Sequence, residues 1–264
     1  MRIVINPKYE GSLGEYVRSI PDRHEQLGQM VYKGRNTLFH TAVNGTDLSI
    51  KSFKVPAIYN RVAYTFFRKG KARRSYEHAM ELLQLGIPTP EPVAYIETFR
   101  NGLLHRSYYV CLMIPGACDV RRWEERPDSD IIADGVARIM AQLHAAGVLH
   151  LDFTPGNILC DSAHRFFLID INRMKFNETS RKRLLENFDK INENFDAVRQ
   201  LALRYAVMTG IADAEQFADE RVAAAQRWWK HRHRYNYRKY RLRLLKERLS
   251  SLFRRTTPSG HTIK

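Results

Sequence analysis

The chain has 264 residues, of which 44% are hydrophobic and 27% charged, a composition that is typical of a folded globular protein and not of a disordered one. It contains no run of about 18 apolar residues, which excludes a membrane-spanning helix, and its three cysteines lack the spacing of a zinc site or a disulfide framework. The net charge is +15, but residues 227–255 contain twelve Lys or Arg and a single acidic residue, so the basic character belongs mainly to this segment.

The first part of the chain has the pattern of a small antiparallel sheet with one helix. Asn44-Gly45 separates two strand-like runs, which is a strong signal for a β-hairpin. A later segment has helical spacing and stops at Gly86, after which three prolines favour extended chain. The predicted elements in chain order are strands at 34–43 and 48–55, a helix at 75–85, and strands at 95–98 and 107–114.

The character of the sequence changes after Pro115-Gly116. A helix is predicted over 130–146, because its apolar residues recur on one face and Gly147 follows. Two short strands at 158–160 and 166–169 flank a second turn signal, and helical segments dominate from residue 180 onward. The sequence therefore predicts a sheet-rich half, a short connector and a helical half.

Polar residues stand among apolar ones in the segment 150–172, which reads HLDFTPGNILCDSAHRFFLIDIN. Burying a carboxylate is costly unless it is paired, hydrogen-bonded or bound to a cation, so Asp152 and Asp170 require a partner. Asn157 follows Asp152 by five residues, and Asp170 follows it by eighteen. An isolated His-x-Asp is usually a hydrogen-bonded loop, but the set with this joint spacing indicates a site.

His150-x-Asp152-x-x-x-x-Asn157 followed by Asp170 resembles the catalytic loop and metal-binding aspartate of the protein-kinase-like fold. In detail the chain resembles the bacterial lipopolysaccharide core kinases, which phosphorylate Kdo and heptose sugars. The resemblance implies an α+β, two-lobed fold with ATP and Mg²⁺ between the lobes. It predicts an N-lobe at 1–114, a C-lobe at 115–222 and a basic tail at 223–264.

The resemblance also implies a role for each site residue. Asp152 would orient the acceptor hydroxyl and take its proton, while Asn157 and Asp170 would supply oxygen ligands to Mg²⁺. Lys51 is predicted to bind the ATP phosphates; Lys54, on the opposite face of the strand, is the alternative. Glu77 is predicted to form an ion pair with Lys51, or else to be an ordinary surface glutamate.

Two departures from the protein-kinase pattern bear on the substrate. Gly34 and Arg35 stand in a short loop in place of the Gly-rich GxGxxG loop, so Arg35 is expected to assist in binding the phosphates. No Ala-Pro-Glu segment or long activation loop follows Asp170, which favours a small-molecule or glycolipid acceptor over a protein. The predicted activity is phosphorylation of a sugar hydroxyl in the lipopolysaccharide inner core, with the lipid A-core glycolipid as substrate. The alternatives are an atypical protein kinase, a small-molecule phosphotransferase such as an antibiotic phosphotransferase, and a membrane-associated pseudokinase scaffold.

The C-terminal segment has the pattern of an amphipathic basic helix. Trp228, Tyr235, Leu242 and Leu249 recur every seven residues, with Leu245 and Leu252 on the same side. Such a helix can lie on an anionic membrane surface, or it can pack against the helical lobe with its charges solvated; a coiled coil is a weaker option.

No secretory signal is recognised at the start of the chain. We therefore expect a cytoplasmic protein that associates peripherally with the cytoplasmic face of the inner membrane. A nucleic-acid partner is not expected, and the sequence does not predict the oligomeric state.

Overall fold

A computed structural model describes residues 1–23 and 26–255. The N-lobe contains a six-stranded antiparallel sheet with the strand order β1-β5-β6-β4-β3-β2. Its strands are β1 (Arg2–Ile5), β2 (Gln29–Lys33), β3 (Thr37–Val43), β4 (Thr46–Phe53), β5 (Pro92–Arg100) and β6 (Leu103–Leu112). The four predicted strands are confirmed within a few residues, and β1 and β2 extend the sheet at its two edges.

The predicted hairpin connects β3 and β4. Asn44 and Gly45 both have positive φ, of 50° and 75°, as the tight two-residue turn between antiparallel strands requires. The hairpin register pairs Leu38 with Lys51 and Val43 with Thr46. Side chains alternate between the two faces of β4, so Ser49 and Lys51 share one face as predicted.

A helix that the sequence pattern does not predict covers the outer face of the sheet. Helix α1 (Glu10–Arg23) buries Leu13, Val17 and Ile20, which follow one another at spacings of four and three. These side chains join a core cluster with residues of β4, β5 and β6. Two glycines and Pro21 lie within α1 and lower its helix propensity, which is why the pattern is weak in the sequence.

The other face of the sheet lies against α3 (Lys71–Gln84), the helix predicted at 75–85. A short helical segment precedes it, formed by α2 (Ile58–Val62) and a wider turn of helix at Ala63–Phe67. The second core cluster runs from this face of the sheet, through α3, into the C-lobe. The two lobes are therefore joined by a continuous apolar core behind the cleft that separates them.

The C-lobe is mainly helical, as predicted. Its helices are α4 (Ser129–Ala145), α5 (Arg181–Leu184), α6 (Phe188–Ile191), α7 (Phe195–Thr209) and α8 (Ala214–Arg255), and its short strands are β7 (Cys118–Asp119), β8 (Leu149–His150), β9 (Ile158–Cys160), β10 (Phe166–Leu168) and β11 (Met174–Lys175). The predicted hairpin at 158–169 is formed by β9 and β10. The antiparallel pair β8 and β11 brings the segment before Asp152 next to the segment after Asp170.

Helix α8 is much longer than the other helices of the lobe. No Gly or Pro occurs between Ala214 and Arg255, so nothing interrupts the helix at the predicted 222/223 boundary. The basic tail is thus the continuation of a C-lobe helix, and its last residues, 256–264, lie outside the described part of the chain. Within residues 1–23 and 26–255, no helix combines the length and hydropathy needed to cross a bilayer.

Candidate active site

A cleft of about 520 Å³ lies between the lobes and contains the site. Its roof comes from β2, β3 and β4, its back wall from the connector after β6, and its floor from β9, β10 and Asp170. Apolar side chains face one another across it, with Leu38 above and Leu159 and Leu168 below. This arrangement provides a flat apolar slot that opens toward charged groups at Lys51 and Asp170.

His150 fixes the start of the catalytic loop. Its side chain is buried, its Nδ1 accepts a hydrogen bond from the backbone N–H of Asp152 at 3.1 Å, and its Nε2 lies 3.4 Å from the carbonyl oxygen of Ile169. Burial lowers the pKa of His150 to about 4, so the ring is neutral at pH 7 and can accept at one nitrogen while it donates at the other. The ring thereby orients the backbone that carries Asp152.

Hydrogen bonds bring the three predicted polar residues together. The side-chain amide of Asn157 donates to the backbone carbonyl of Asp152 at 2.8 Å. The backbone N–H of Ile169 donates to the backbone carbonyl of Asn157 at 2.9 Å. The N–H of Leu151 donates to the carbonyl of Arg173. These hydrogen bonds therefore hold Asp152, Asn157 and Asp170 close together, and Asp170 lines the cleft.

Asp170 lies in a strained turn, and two hydrogen bonds hold its carboxylate. Its φ is 53°, in the left-handed region that few non-glycine residues adopt, and such strain is often found at functional sites. Its carboxylate accepts from Lys51 Nζ at 2.7 Å and from the amide of Asn172 at 2.5 Å. Burial acts to raise the pKa of Asp170, but the ammonium of Lys51, together with His150 and the amide of Asn172, outweighs it and holds the pKa below its ordinary value.

The structure separates the two candidate lysines. Lys51 lines the cleft and reaches Asp170, whereas Lys54 is exposed beyond the end of β4 and its backbone N–H donates to the side chain of Asn36. This geometry favours Lys51 over Lys54 as the phosphate ligand.

The predicted ion pair between Glu77 and Lys51 is not formed. Glu77 accepts from Lys69 and from Arg73, each at 2.8 Å. Ser75 is the α3 residue that lines the cleft, and Glu77 lies about 200° around the helix from it, because successive residues are about 100° apart. The side chain therefore points away from Lys51.

The short loop between β2 and β3 is exposed. Arg35 lines the mouth of the cleft, whereas Gly34 lines a neighbouring surface pocket. Two hydrogen bonds hold the loop, from Gly34 N–H to the Asn36 carbonyl and from Lys54 N–H to the Asn36 side chain. Of the two loop residues predicted to bind ATP, only Arg35 is in position to contact a ligand in the cleft.

The donor set at Asp170 fits a hard divalent cation. The amide nitrogen of Asn157 is engaged by the Asp152 carbonyl, which leaves its oxygen as a ligand beside the Asp170 carboxylate. Residues 1–23 and 26–255 contain no cluster of three or more His, Cys, Asp or Glu that could hold a metal. Two oxygen ligands are compatible with Mg²⁺, which commonly takes the rest of its shell from water and substrate phosphates.

The sequence analysis does not predict the hydrogen-bond network that lies behind the catalytic loop. Asn187 donates to the backbone carbonyl of His150 at 2.6 Å, and its side-chain oxygen lies 3.1 Å from His144 Nε2. The other nitrogen of His144 lies 2.9 Å from the hydroxyl of Tyr205. These side chains are distant in sequence, and Asn187 follows no recognisable motif, so only the fold reveals their connection.

Lys190 provides a second anchor that the sequence analysis misses. Its Nζ donates to the carbonyl of Leu151 at 2.8 Å. Helix α6 and the turn before it thus hold two consecutive carbonyls of the loop, at His150 and Leu151. The loop that carries Asp152 is fixed from the C-lobe side.

The outer part of α8 is exposed on all sides. Trp229 is half-buried and donates to the carbonyl of Asn192, but every residue from 231 to 245 is exposed. Tyr235 is 53% exposed and Leu242 60%, so packing of this stripe on the C-lobe is excluded for these residues. Leu249 and Leu252 lie outside the part whose side chains are described. A second apolar row, formed by Tyr237, Tyr240 and Leu244, lies on the opposite side, so the helix is less one-sided than predicted.

Comparison with known families gives a match that covers most of the chain. The family model described as "Lipopolysaccharide kinase (Kdo/WaaP) family" matches residues 42–235, which include Lys51 and the whole segment from His150 to Asp170, whereas Arg35 lies outside the match. The chain belongs to this lipopolysaccharide kinase family. Membership confirms the predicted class, a kinase of lipopolysaccharide core sugars, and implies the use of ATP.

Relatives and a solved structure agree with this family. The 3-deoxy-D-manno-octulosonic acid (Kdo) kinase of Vibrio cholerae is 26% identical over 184 residues, which is 64% of this chain and 78% of that protein. The enzyme of the same name from Xylella fastidiosa strain M23 is 28% identical over 153 residues, 54% of this chain and 61% of that protein. A structure titled "WaaP in complex with acyl carrier protein" matches with a TM-score of 0.57 and 17% identity, covers 87% of this chain and 100% of that one, and confirms the kinase-like fold.

Proposed function

We propose that this lipopolysaccharide kinase transfers the γ-phosphoryl group of ATP to a hydroxyl of the Kdo sugar in the inner core. The observation that carries the proposal is the convergence of Asp152, Asn157, Asp170 and Lys51 at one end of the cleft. Kdo is favoured over heptose because the Vibrio and Xylella relatives are Kdo kinases.

Each residue has a distinct role in the proposed transfer. Asp152, whose side chain is 42% exposed, accepts the proton of the acceptor hydroxyl. The hydroxyl oxygen forms a bond to the γ-phosphorus while the bond to the β–γ bridging oxygen breaks, and ADP leaves. Lys51 binds the phosphate oxygens and offsets their charge, and His150 keeps Asp152 oriented. The apolar slot between Leu38 and Leu159 accepts the flat adenine ring.

Asn157 and Asp170 would hold Mg²⁺, for which their oxygens are suited. When bound, the cation would neutralise charge on the phosphates. The turn at Asp170 is stabilised by Lys51 and Asn172, so the carboxylate is ionised and oriented at neutral pH. Ionisation is the state that cation binding requires.

Transfer of labelled phosphate from ATP tests the proposal. We expect label on Kdo-bearing lipid A, and we expect Asp152→Asn to lower transfer by about 10²- to 10⁴-fold, because it removes the proton acceptor. ATP binding by the variant should be nearly unchanged. A heptose-bearing core and a generic protein are the parallel acceptors. Label on protein alone, or on none of the acceptors despite ATP binding, would favour the protein-kinase or pseudokinase alternative.

We also propose that the exposed part of α8 binds an anionic membrane surface. Between residues 227 and 245 this helix carries eight Lys or Arg and no acidic residue. Aromatic and leucine side chains stand exposed among these charges, and both contribute to binding at a lipid interface. A glycolipid acceptor would be met at such a surface.

Vesicle sedimentation tests the membrane proposal. Replacing Arg238, Lys239, Arg241 and Arg243 by Gln should weaken binding to vesicles that contain phosphatidylglycerol, by up to about fivefold for each charge removed. Binding to purely zwitterionic vesicles should change little. Equal sedimentation of variant and wild type with anionic vesicles would refute the proposal, and concentration-dependent dimerisation lost in the variant would instead identify a second copy as the partner.

A further inference from the structure

Three basic side chains converge beside the catalytic loop, outside the nucleotide cleft. Lys71 and Arg74 lie in the first turn of α3, and Arg173 lies in the turn that follows Asp170. We refer to these three residues as the α3 basic cluster. The residues that line the nucleotide cleft include Lys51, Arg35 and Asp170 but none of the cluster. The cluster therefore lies beside the predicted ATP phosphate site without lining it, and Lys71 is close enough to Arg35 and Asp170 for their charges to affect its pKa.

The geometry of α3 explains the convergence. Residues 71, 74, 75 and 78 share the helix face that meets the turn Ile171–Arg173, because residues three and four apart lie one above another. His78 secures this contact through a 2.8 Å hydrogen bond between its Nδ1 and the carbonyl of Ile171. On the other side of the turn, Nη1 of Arg173 lies 4.0 Å from the Asp152 carboxylate.

Two of the three charges in the cluster, those of Lys71 and Arg74, form no ion pair within the described part of the chain, whereas Arg173 lies at ion-pair distance from Asp152. Within the described part of the chain Lys71 makes no ion pair, and the Nε of Arg74 is buried with no hydrogen-bond partner. Asp170 is already paired with Lys51, and Glu77 with Lys69 and Arg73. A buried donor without a partner and adjacent like charges both cost free energy unless a ligand satisfies them.

The mutual repulsion is reflected in the titration of both α3 residues. Burial lowers the pKa of Lys71, and the charges of Arg35, Arg173 and Arg74 lower it further, while the carboxylate of Asp170 acts in the opposite direction. Burial also lowers the pKa of Arg74, with added repulsion from Arg68 and Arg173. An anion bound among these groups would reverse the repulsion.

We propose that Lys71, Arg74 and Arg173 bind an oxyanion of the acceptor and thereby place its hydroxyl at Asp152. The inference rests on the proposed function, in which the acceptor sugar is an acid and carries a carboxylate. A phosphate group elsewhere on the glycolipid offers the same oxyanion chemistry. Arginine and lysine are the side chains that bind both groups through charge-assisted hydrogen bonds.

Chemical labelling of Lys71 tests the site without any need for transfer. The full chain, saturated with a non-hydrolysable ATP analogue, is treated with acetic anhydride, and acetylation of Lys71 is measured by mass spectrometry. We expect Kdo-bearing lipid A in neutral detergent to slow acetylation at least severalfold. Its carboxyl methyl ester and its dephosphorylated form identify which oxyanion is bound.

Two labelling results would contradict the proposal that the α3 basic cluster binds an oxyanion. One is an unchanged acetylation rate in the presence of the glycolipid. The other is equal protection by a glycolipid that is both esterified and dephosphorylated, since this would mean simple coverage of the surface. Protection lost only with the ester assigns the carboxylate, and protection lost only on dephosphorylation assigns the phosphate; either supports the inference.

Steady-state kinetics test the role of the site in the reaction. Lys71→Gln and Arg173→Gln should each raise KM for the glycolipid about tenfold or more, as expected for the loss of a charged hydrogen bond, with little change in KM for ATP. Lys71→Arg should restore most of the loss. The matched control is Arg18→Gln, which removes one positive charge from α1 on the opposite face of the sheet.

The two proposals fail in different ways. If the wild-type protein shows charge-dependent protection of Lys71 but transfers no phosphate to the glycolipid, the proposed function is wrong and the anion site stands. If the glycolipid is phosphorylated and the Lys71 and Arg173 variants behave like the Arg18 control, the proposed function stands and the anion site is wrong.

Discussion

The floor and the roof of the cleft hold their functional residues in different ways. In the floor, half-buried Lys190 of α6 and buried Asn187 in the turn before it donate to carbonyls of the loop around Asp152, and half-buried His144 of α4 contacts Asn187. In the roof, the loop with Arg35 is exposed and is held by two hydrogen bonds at Asn36. The comparison teaches that the position of Asp152 depends on hydrogen bonds to the body of the C-lobe, whereas the loop with Arg35 is held by few contacts.

The largest effect on phosphate transfer is expected at the Lys51–Asp170 contact, which joins the roof of the cleft to its floor. Lys51→Met should lower transfer by about 10²- to 10³-fold, as expected when one preorganised electrostatic contact to the reacting group is removed. The free energy of unfolding should change little, because both partners of the Lys51–Asp170 pair are partly exposed. Lys54→Met is the matched control and should retain transfer. Equal losses in both variants would contradict the assignment of Lys51.

Asn187→Ala tests whether the floor is held by the core. The substitution leaves the His150 carbonyl and His144 Nε2 without their partner, and each unsatisfied buried group costs about 1 to 3 kcal/mol of stability. We expect a fall of about 2 to 4 kcal/mol in the free energy of unfolding, measured with urea, and a lower kcat. Asn236→Ala, on the exposed part of α8, is the control. An unchanged free energy of unfolding in Asn187→Ala would show that the floor of the cleft is not held by this network.

The pH dependence of stability reports on the same network. Burial lowers the pKa of His144 and of His150 to about 4 in the folded chain, against an ordinary value of 6.5. As the pH falls, the unfolded chain therefore takes up protons at these two histidines before the folded chain does. The stability that the neutral histidines contribute is fully present above pH 6.5 and is lost as the pH falls toward 4. At pH 5 each histidine should account for a loss of about 2 kcal/mol.

His144→Gln separates the contribution of His144 from other effects of low pH on the free energy of unfolding. The variant should show a smaller loss of unfolding free energy between pH 7 and pH 5 than the wild type, by about 2 kcal/mol. Urea titrations at the two pH values provide the measurement. An identical pH dependence in both proteins would show that His144 is not held neutral by burial.

The smallest effect is expected in the roof. Arg35→Gln should raise KM for ATP only a fewfold, because an exposed charge contributes about 1 kcal/mol or less. The unfolding free energy and kcat should remain close to those of the wild type. A loss of stability as large as that of Asn187→Ala would mean that the roof loop is as firmly held as the floor.

Local sequence signals account for the parts of the site that were predicted. The spacing of Asp152, Asn157 and Asp170 is sufficient, because these residues lie on a short loop and an adjoining hairpin whose turn and strands are visible in the sequence. The hairpin around Asn44 is equally local. Lys51 follows from the two-residue period of β4 once the hairpin is fixed.

The parts that were missed depend on tertiary structure. The direction of Glu77 follows from how α3 is rotated against the cleft, which a helical pattern does not specify. Asn187 and Tyr205 contact the catalytic region through packing of helices that are far apart in sequence. Helix α1 is stabilised by burial against the sheet, which overrides the low propensity of its glycines and Pro21.

The pairing of β1 with β5 has a consequence for the order of events during synthesis. Arg2 lies opposite Glu97, so the earliest strand has no partner until about ninety more residues have been made. At about 5 to 20 residues per second, this interval lasts on the order of 5 to 20 seconds. Throughout it, β1 has no strand to pair with. The central strand β6 is made later still, so the sheet of the N-lobe is complete only after β6 has joined β5 to β4.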